Sequence, residues 1–88
     1  MKIDYSSTFA KAFRKRIAKN PQLVRLFREK VNLFQVEPYN AILRTHKLTG
    51  SLDEVWSFSV KHDCRILFEF KSDDHVLFID IGKHDEVY

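Results

Sequence analysis

The sequence predicts an α+β fold: an N-terminal strand and an antiparallel helical hairpin, packed on one face of a mostly antiparallel sheet of four to five strands. Three observations predict it. Apolar residues recur at helical spacing in the first 37 residues, and at alternate positions from 55 to 81. The later apolar runs are joined by short polar turns, and parallel neighbours would need long crossovers.

Each element has a local cause. Met1–Tyr5 reads as a short strand. Ser6 or Ser7 can cap a helix to about Lys19, because a Ser hydroxyl accepts from unpaired first-turn N–H groups. Phe9, Phe13 and Ile17 form its apolar stripe. Asn20-Pro21 restarts a helix, with Asn as cap and Pro at the first helical position. Its stripe is Leu23, Phe27, Val31 and Phe34, with Val24 and Leu26 beside it, and it should stop before Pro38. A short strand near Arg44–Leu48 precedes a turn at Thr49-Gly50-Ser51. Three strands follow, at Val55–Val60, Arg65–Phe70 and Val76–Ile81, with turns at Lys61-His62-Asp63 and Lys71–Asp74.

Alternation assigns the faces. Trp56, Phe58, Val60, Ile66, Phe68, Phe70, Leu77, Ile79 and Ile81 should lie under the helices. Ser57, Ser59, Arg65, Glu69, Phe78 and Asp80 should lie on the open face. There Arg65 has small neighbours that leave room for a ligand. An ion pair of Arg65 with Glu69 or Asp80 is the alternative, and such surface pairs contribute little.

Length and composition bound the function. Eighty-eight residues, 44% hydrophobic with eight Phe, make one small domain spanning residues 1–88. One cysteine, Cys64, excludes an internal disulfide and suits a reducing cytoplasm. No apolar stretch reaches the ~20 residues needed to span a bilayer, so no membrane association is expected. The N-terminus lacks the apolar core of a signal peptide. No histidine pair has the i, i+4 spacing of a pre-formed metal site, and the two glycines make no phosphate-cradling loop. Neither a metal nor a cofactor is expected.

Charge is asymmetric. Residues 1–30 hold nine Lys/Arg against Asp4 and Glu29, net +7; residues 31–88 hold six against ten acids, net −4. Lys11, Arg14, Lys15, Lys19, Arg25 and Arg28 would form a basic face on the hairpin, for a polyanion or as a solvated surface. The ending Gly82-Lys83-His84-Asp85-Glu86-Val87-Tyr88 gathers titratable groups just past a strand end. It can serve acid–base chemistry, or it can be a frayed polar terminus.

Four segments, His46-Lys47-Leu48-Thr49-Gly50, Trp56-Ser57-Phe58, Asp63–Phe68 and Asp80–Tyr88, follow the strand–helix–helix order. In that order the chain resembles the RelE/ParE toxin superfamily, and most of all its RelE/YafQ branch of bacterial type II toxin–antitoxin systems. The resemblance covers essentially the whole chain. It implies a ribosome-dependent, metal-independent endoribonuclease that cuts mRNA by 2′-OH attack, with a cognate antitoxin as partner. A ParE-like toxin that inhibits gyrase without catalysis is the alternative on the same fold.

The resemblance also implies roles. His84 matches the C-terminal histidine and would be general acid. His46 matches the histidine before the Leu-x-Gly segment and would be general base. Histidine suits both, since its ordinary pKa of about 6.5 populates both protonation states near neutrality. Arg65 would hold the scissile phosphate in a charge-assisted fork, with Lys47 and Lys83 adding positive charge. Tyr88 matches a terminal aromatic that would stack on a base. His62 and Asp63 fall about two residues from a further catalytic pair of YafQ-like toxins. His75 is expected to be solvated.

Overall fold

The computed structural model describes residues 1–50 and 54–87. Its elements are β1 (Lys2–Tyr5), α1 (Ser7–Arg16), α2 (Pro21–Val36), a 3-10 turn (Ala41–Leu43), β2 (His46–Lys47), β3 (Trp56–Lys61), β4 (Cys64–Ser72), β5 (His75–Gly82) and α3 (His84–Val87). The described strands form one sheet in the order β1-β5-β4-β3-β2. β1 runs parallel to β5, because the helices and strands between them supply the long crossover. The other neighbours are antiparallel.

The helix starts follow their sequence signals. Ser6 Oγ accepts from Phe9 N at 3.0 Å. Asn20 Oδ1 accepts from Leu23 N at 3.1 Å, with Pro21 in the first turn. α1 stops at Arg16, three residues short of the expected Lys19. Ile17 is the C-cap and buries its side chain, and both Ile17 N and Ala18 N donate to Phe13 O. That closes the helix just ahead of the Asn20 cap.

The core lies between the helices and one sheet face. Phe34 stacks on Phe58 with ring centres 4.4 Å apart, and meets Phe68 edge-on at 5.0 Å. Phe58, Val60, Ile66, Phe68 and Ile81 are fully buried, as the alternation requires. Trp56 and Phe70 are half-buried at the margin, where Tyr39 packs against both rings.

β5 departs from the expected faces. Phe78 is fully buried among Phe9, Phe34 and Phe58, whereas Leu77 and Ile79 are only half-buried. A bulge is the reason. Leu67 pairs with Asp80 and Phe68 with Phe78, so Ile79 is an extra residue without a β4 partner. An extra residue shifts the alternation by one. Val76 and Phe78 therefore point inward before it, and Ile81 does so after it.

Beyond its pairing with Tyr5, β5 loses its β1 neighbour, and the free edge is satisfied locally. Ser6 N donates to Phe78 O and Ser6 Oγ to Ile79 O. Asp80 Oδ1 accepts from Ile81 N at 2.8 Å, and Arg16 Nη1 donates to Ile81 O at 2.9 Å. An edge closed this way offers no template to another chain. It also fixes the strand that carries the C-terminal segment. His75 opens β5, with Nε2 2.7 Å from Asp4 Oδ2, so it clamps the parallel pair and is not simply solvated.

Candidate active site on the open sheet face

Register lines up the residues of the second sheet face in two rows, although Ser57, Ser59 and Leu67 there are buried and not open to solvent as the alternation led one to expect. His46 pairs with Ser57, Ser57 with Leu67, and Leu67 with Asp80. One step along, Ser59 pairs with Arg65 and Arg65 with Gly82. Rows two residues apart on a strand are separated by about 6.6 Å. The histidine row and the arginine row are therefore within reach of one nucleotide.

A depression of about 580 Å³ lies at the first row. His46 and Lys47 come from β2, Leu67 from β4, and His84 and Val87 from α3. The fold thus brings the two expected acid–base histidines to one cavity. Leu48, of the Leu-x-Gly segment, and Val55 add apolar wall, and with Leu67 they were not among the expected site residues. His46 Nδ1 lies 2.8 Å from Arg44 O. A carbonyl can only accept, so Nδ1 carries the proton and Nε2 of the neutral ring keeps its lone pair.

Arg65 is half-buried beside that row. Its Nη1 donates to Ser59 Oγ at 3.2 Å, as small serine neighbours allow. Its Nε is buried without a hydrogen-bond partner among the described residues. The carboxylates weighed as its partners are engaged elsewhere: Glu69 lies 2.8 Å from Lys71 Nζ, and Asp80 3.4 Å from Arg16 Nη1. A half-buried guanidinium group with an unmet donor favours an incoming anion.

Of the remaining expected residues, only Lys47 reaches this cavity among the described residues. Lys47 lines it but lies 3.5 Å from Glu54, which offsets its charge. Lys83 and Asp63 line a second depression of about 500 Å³ with Lys15, Arg16, Lys61 and Glu86. His62 is exposed in the β3–β4 turn. Asp63 sits 3.4 Å from Lys61 Nζ. Burial raises the Asp63 pKa, but the Lys61 hydrogen bond and charge, with His62, outweigh it and hold the carboxyl below its ordinary value. Burial, then the Asp63 charge, push the Cys64 thiol up to about 11, so this thiol is not a nucleophile at neutral pH. Tyr88 and Ser51 lie outside the described residues.

The six hairpin cations, Lys11, Arg14, Lys15, Lys19, Arg25 and Arg28, are all exposed. They belong to the helical layer, and Lys15 among them also lines the second depression beside Lys83 and Glu86. Among the described residues no three His, Cys, Asp or Glu side chains are placed to hold a metal ion, and no helix is long and apolar enough to cross a membrane.

Arg16 and Glu86 were missed by sequence reasoning. Lys83 N donates to Glu86 Oε1 at 2.6 Å, and Arg16 Nε lies 3.5 Å from Glu86 Oε2. A Glu three residues after a helix start is a capping signal that was available. Arg16 had none, since its partners lie at the other end of the chain.

Comparisons with known proteins follow this geometry. The family described as the bacterial toxin of type II toxin-antitoxin system, YafQ, matches residues 1–88. No curated protein matches the chain. A metal-bound toxin from Helicobacter pylori superposes with a TM-score of 0.81 at 22% identity, covering 100% of this chain and 99% of that one. YafQ from E. coli gives 0.79 at 19%, covering 99% and 97%. The E. coli DinJ-YafQ toxin-antitoxin complex gives 0.79 at 20%, covering 99% and 96%.

Proposed function

The chain belongs to the YafQ family of type II toxin–antitoxin toxins, and from that premise we propose that it is an endoribonuclease that cuts mRNA on the ribosome. The observation that carries this reading is the shared depression of His46 and His84, with Arg65 one row away.

The chemistry needs a base, an acid and a cation. His46 Nε2 takes the proton from a ribose 2′-OH. The 2′-oxygen attacks the adjacent phosphorus, and the bond from phosphorus to the 5′-oxygen breaks. His84 gives its proton to that oxygen. The products are a 2′,3′-cyclic phosphate and a 5′-hydroxyl. Arg65 donates to the phosphate oxygens as charge gathers on them. These side chains fill all three roles, so the reading is metal-independent. It also requires RNA, since DNA lacks the nucleophile. Tyr88 stacks on a base, and Lys47 and Lys83 add positive charge.

The ribosome is read as the platform. The hairpin cations are exposed on the helical layer, so they grip ribosomal RNA phosphates while the other sheet face meets the message. The protein then works in the cytoplasm. A cognate antitoxin restrains it, a reading supported by the DinJ-YafQ complex among its structural neighbours. The apolar groove of Tyr5, Phe9, Phe13 and Phe27, beside the basic helices and the β1 edge, suits an acidic segment that folds on binding.

Primer extension on translated and untranslated copies of one message tests the proposal. Cuts confined to ribosome-bound message are expected. Intact message together with gyrase-dependent DNA breaks would instead establish the ParE-like alternative.

A further inference from the structure

We propose that Arg16 is a positioning residue for His84, acting through Glu86 to hold the short helix that carries the histidine. The kinetic consequence rests on the nuclease reading above; the structural consequence does not.

α3 has four residues. Isolated helices shorter than about 12 residues are marginal in water, so this turn needs outside support. Arg16, the last residue of α1, supplies it through Glu86 while anchored on β5. Nη1 donates to Ile81 O at 2.9 Å and lies 3.4 Å from Asp80 Oδ1. Nε lies 3.5 Å from Glu86 Oε2. The other oxygen of Glu86 accepts from Lys83 N at 2.6 Å, one residue before His84. The chain of contacts thus runs from α1 to Glu86, to the Lys83 backbone, and so to the histidine.

Gly82 makes the close approach possible. A Cβ there would lie 2.8 Å from Arg16 Nη1 and 2.9 Å from Glu86 Oε1. Only a residue without a side chain lets the pair lie against the backbone. Arginine suits the task because separate nitrogens of one rigid group reach separate partners, and a lysine ammonium cannot reproduce that spread. Arg16 is half-buried with its guanidinium engaged by Ile81 O, Asp80 and Glu86, so it is assigned to the histidine's placement and not to substrate.

Three variants separate positioning from charge. Arg16→Gln removes a positive charge, Glu86→Gln removes a negative one, and Gly82→Ala changes none. Positioning predicts that each lowers kcat about 10- to 100-fold while KM changes little, because small misplacements of a catalytic group act on the chemical step. Arg16→Lys restores only part of the rate. A direct pull of Arg16 on RNA predicts opposite effects for the two charge variants, and that result overturns the proposal. Cooperative thermal unfolding establishes folding. If Arg16→Gln does not fold, the other two variants carry the test. Amide exchange at 83–87 in the free protein is the second readout. Faster exchange in the variants supports anchoring, and unchanged exchange overturns it. If the parent protein cuts no message, the nuclease reading falls, and exchange alone decides the positioning claim.

Discussion

His46 holds Nδ1 2.8 Å from the carbonyl oxygen of Arg44, a residue in left-handed backbone geometry at φ 51°. The bond fixes which ring nitrogen can accept a proton, and the accepting nitrogen is the one not tied to backbone. His46→Ala and His84→Ala should each slow message cleavage on the order of 100- to 10,000-fold while leaving thermal unfolding cooperative. Single-turnover cleavage on programmed ribosomes measures this. A parental rate in either variant would remove that residue from the mechanism.

Arg65 is buried at Nε and bonded only to a serine among the described residues. Arg65→Ala should lower kcat on the order of 100- to 1,000-fold, as loss of a transition-state donor does. Arg65→Lys should recover a part only, since one ammonium replaces a planar fork. Full activity in the lysine variant would show that the site needs charge and not geometry.

The bulge at Ile79 makes a stability prediction. Phe78→Ala should cost about 3–5 kcal/mol, the usual range for a buried Phe. Leu77→Ala, on the half-exposed face, should cost clearly less. Denaturant titration of both decides it. The reverse order would mean that β5 keeps unbroken alternation.

Cys64 has a folded pKa of about 11 against an ordinary 9.0. Above pH 9 the unfolded chain loses this proton first, so the stability held by the neutral thiol is complete below pH 9 and is lost as pH rises through about 11. Cys64→Ala should show a flatter decline in denaturant midpoint across that window. Parallel declines in the two proteins would place the titration elsewhere.

Reversing three of Lys11, Arg14, Lys19 and Arg28 should weaken ribosome binding and flatten the slope of log affinity against log salt, because fewer counterions are released. Cut positions should stay the same, since these cations are exposed on the helical layer. An unchanged slope would make the hairpin a solvated surface.

Much of this architecture was legible because its signals are local. Ser6 and Asn20 cap the helices they were expected to cap, and the alternation in β3 and β4 names the buried residues. β5 misled because a bulge leaves no mark in a run of apolar residues. Val76 to Ile81 reads equally well in either phase until pairing with β4 is known. At the site, His46, His84 and Arg65 stood out by residue type. The depression shared by His46 and His84, with Arg65 one row away, arises from the register of β2, β3, β4 and β5, which is a long-range property. Arg16 could not be read at all: its bonds to Ile81, Asp80 and Glu86 join the two ends of the chain.

Two histidines and an arginine, without metal, should cut ribosome-bound message through its own 2′-OH. Purified protein, programmed ribosomes and a metal chelator tolerated by the ribosome test it most directly, with the fragment ends read chemically. Expected are 2′,3′-cyclic phosphate and 5′-hydroxyl ends at undiminished rate under the chelator, and their loss in the His46→Ala/His84→Ala double variant. Fragments ending in 5′-phosphate, or cleavage that persists in the double variant, would contradict it.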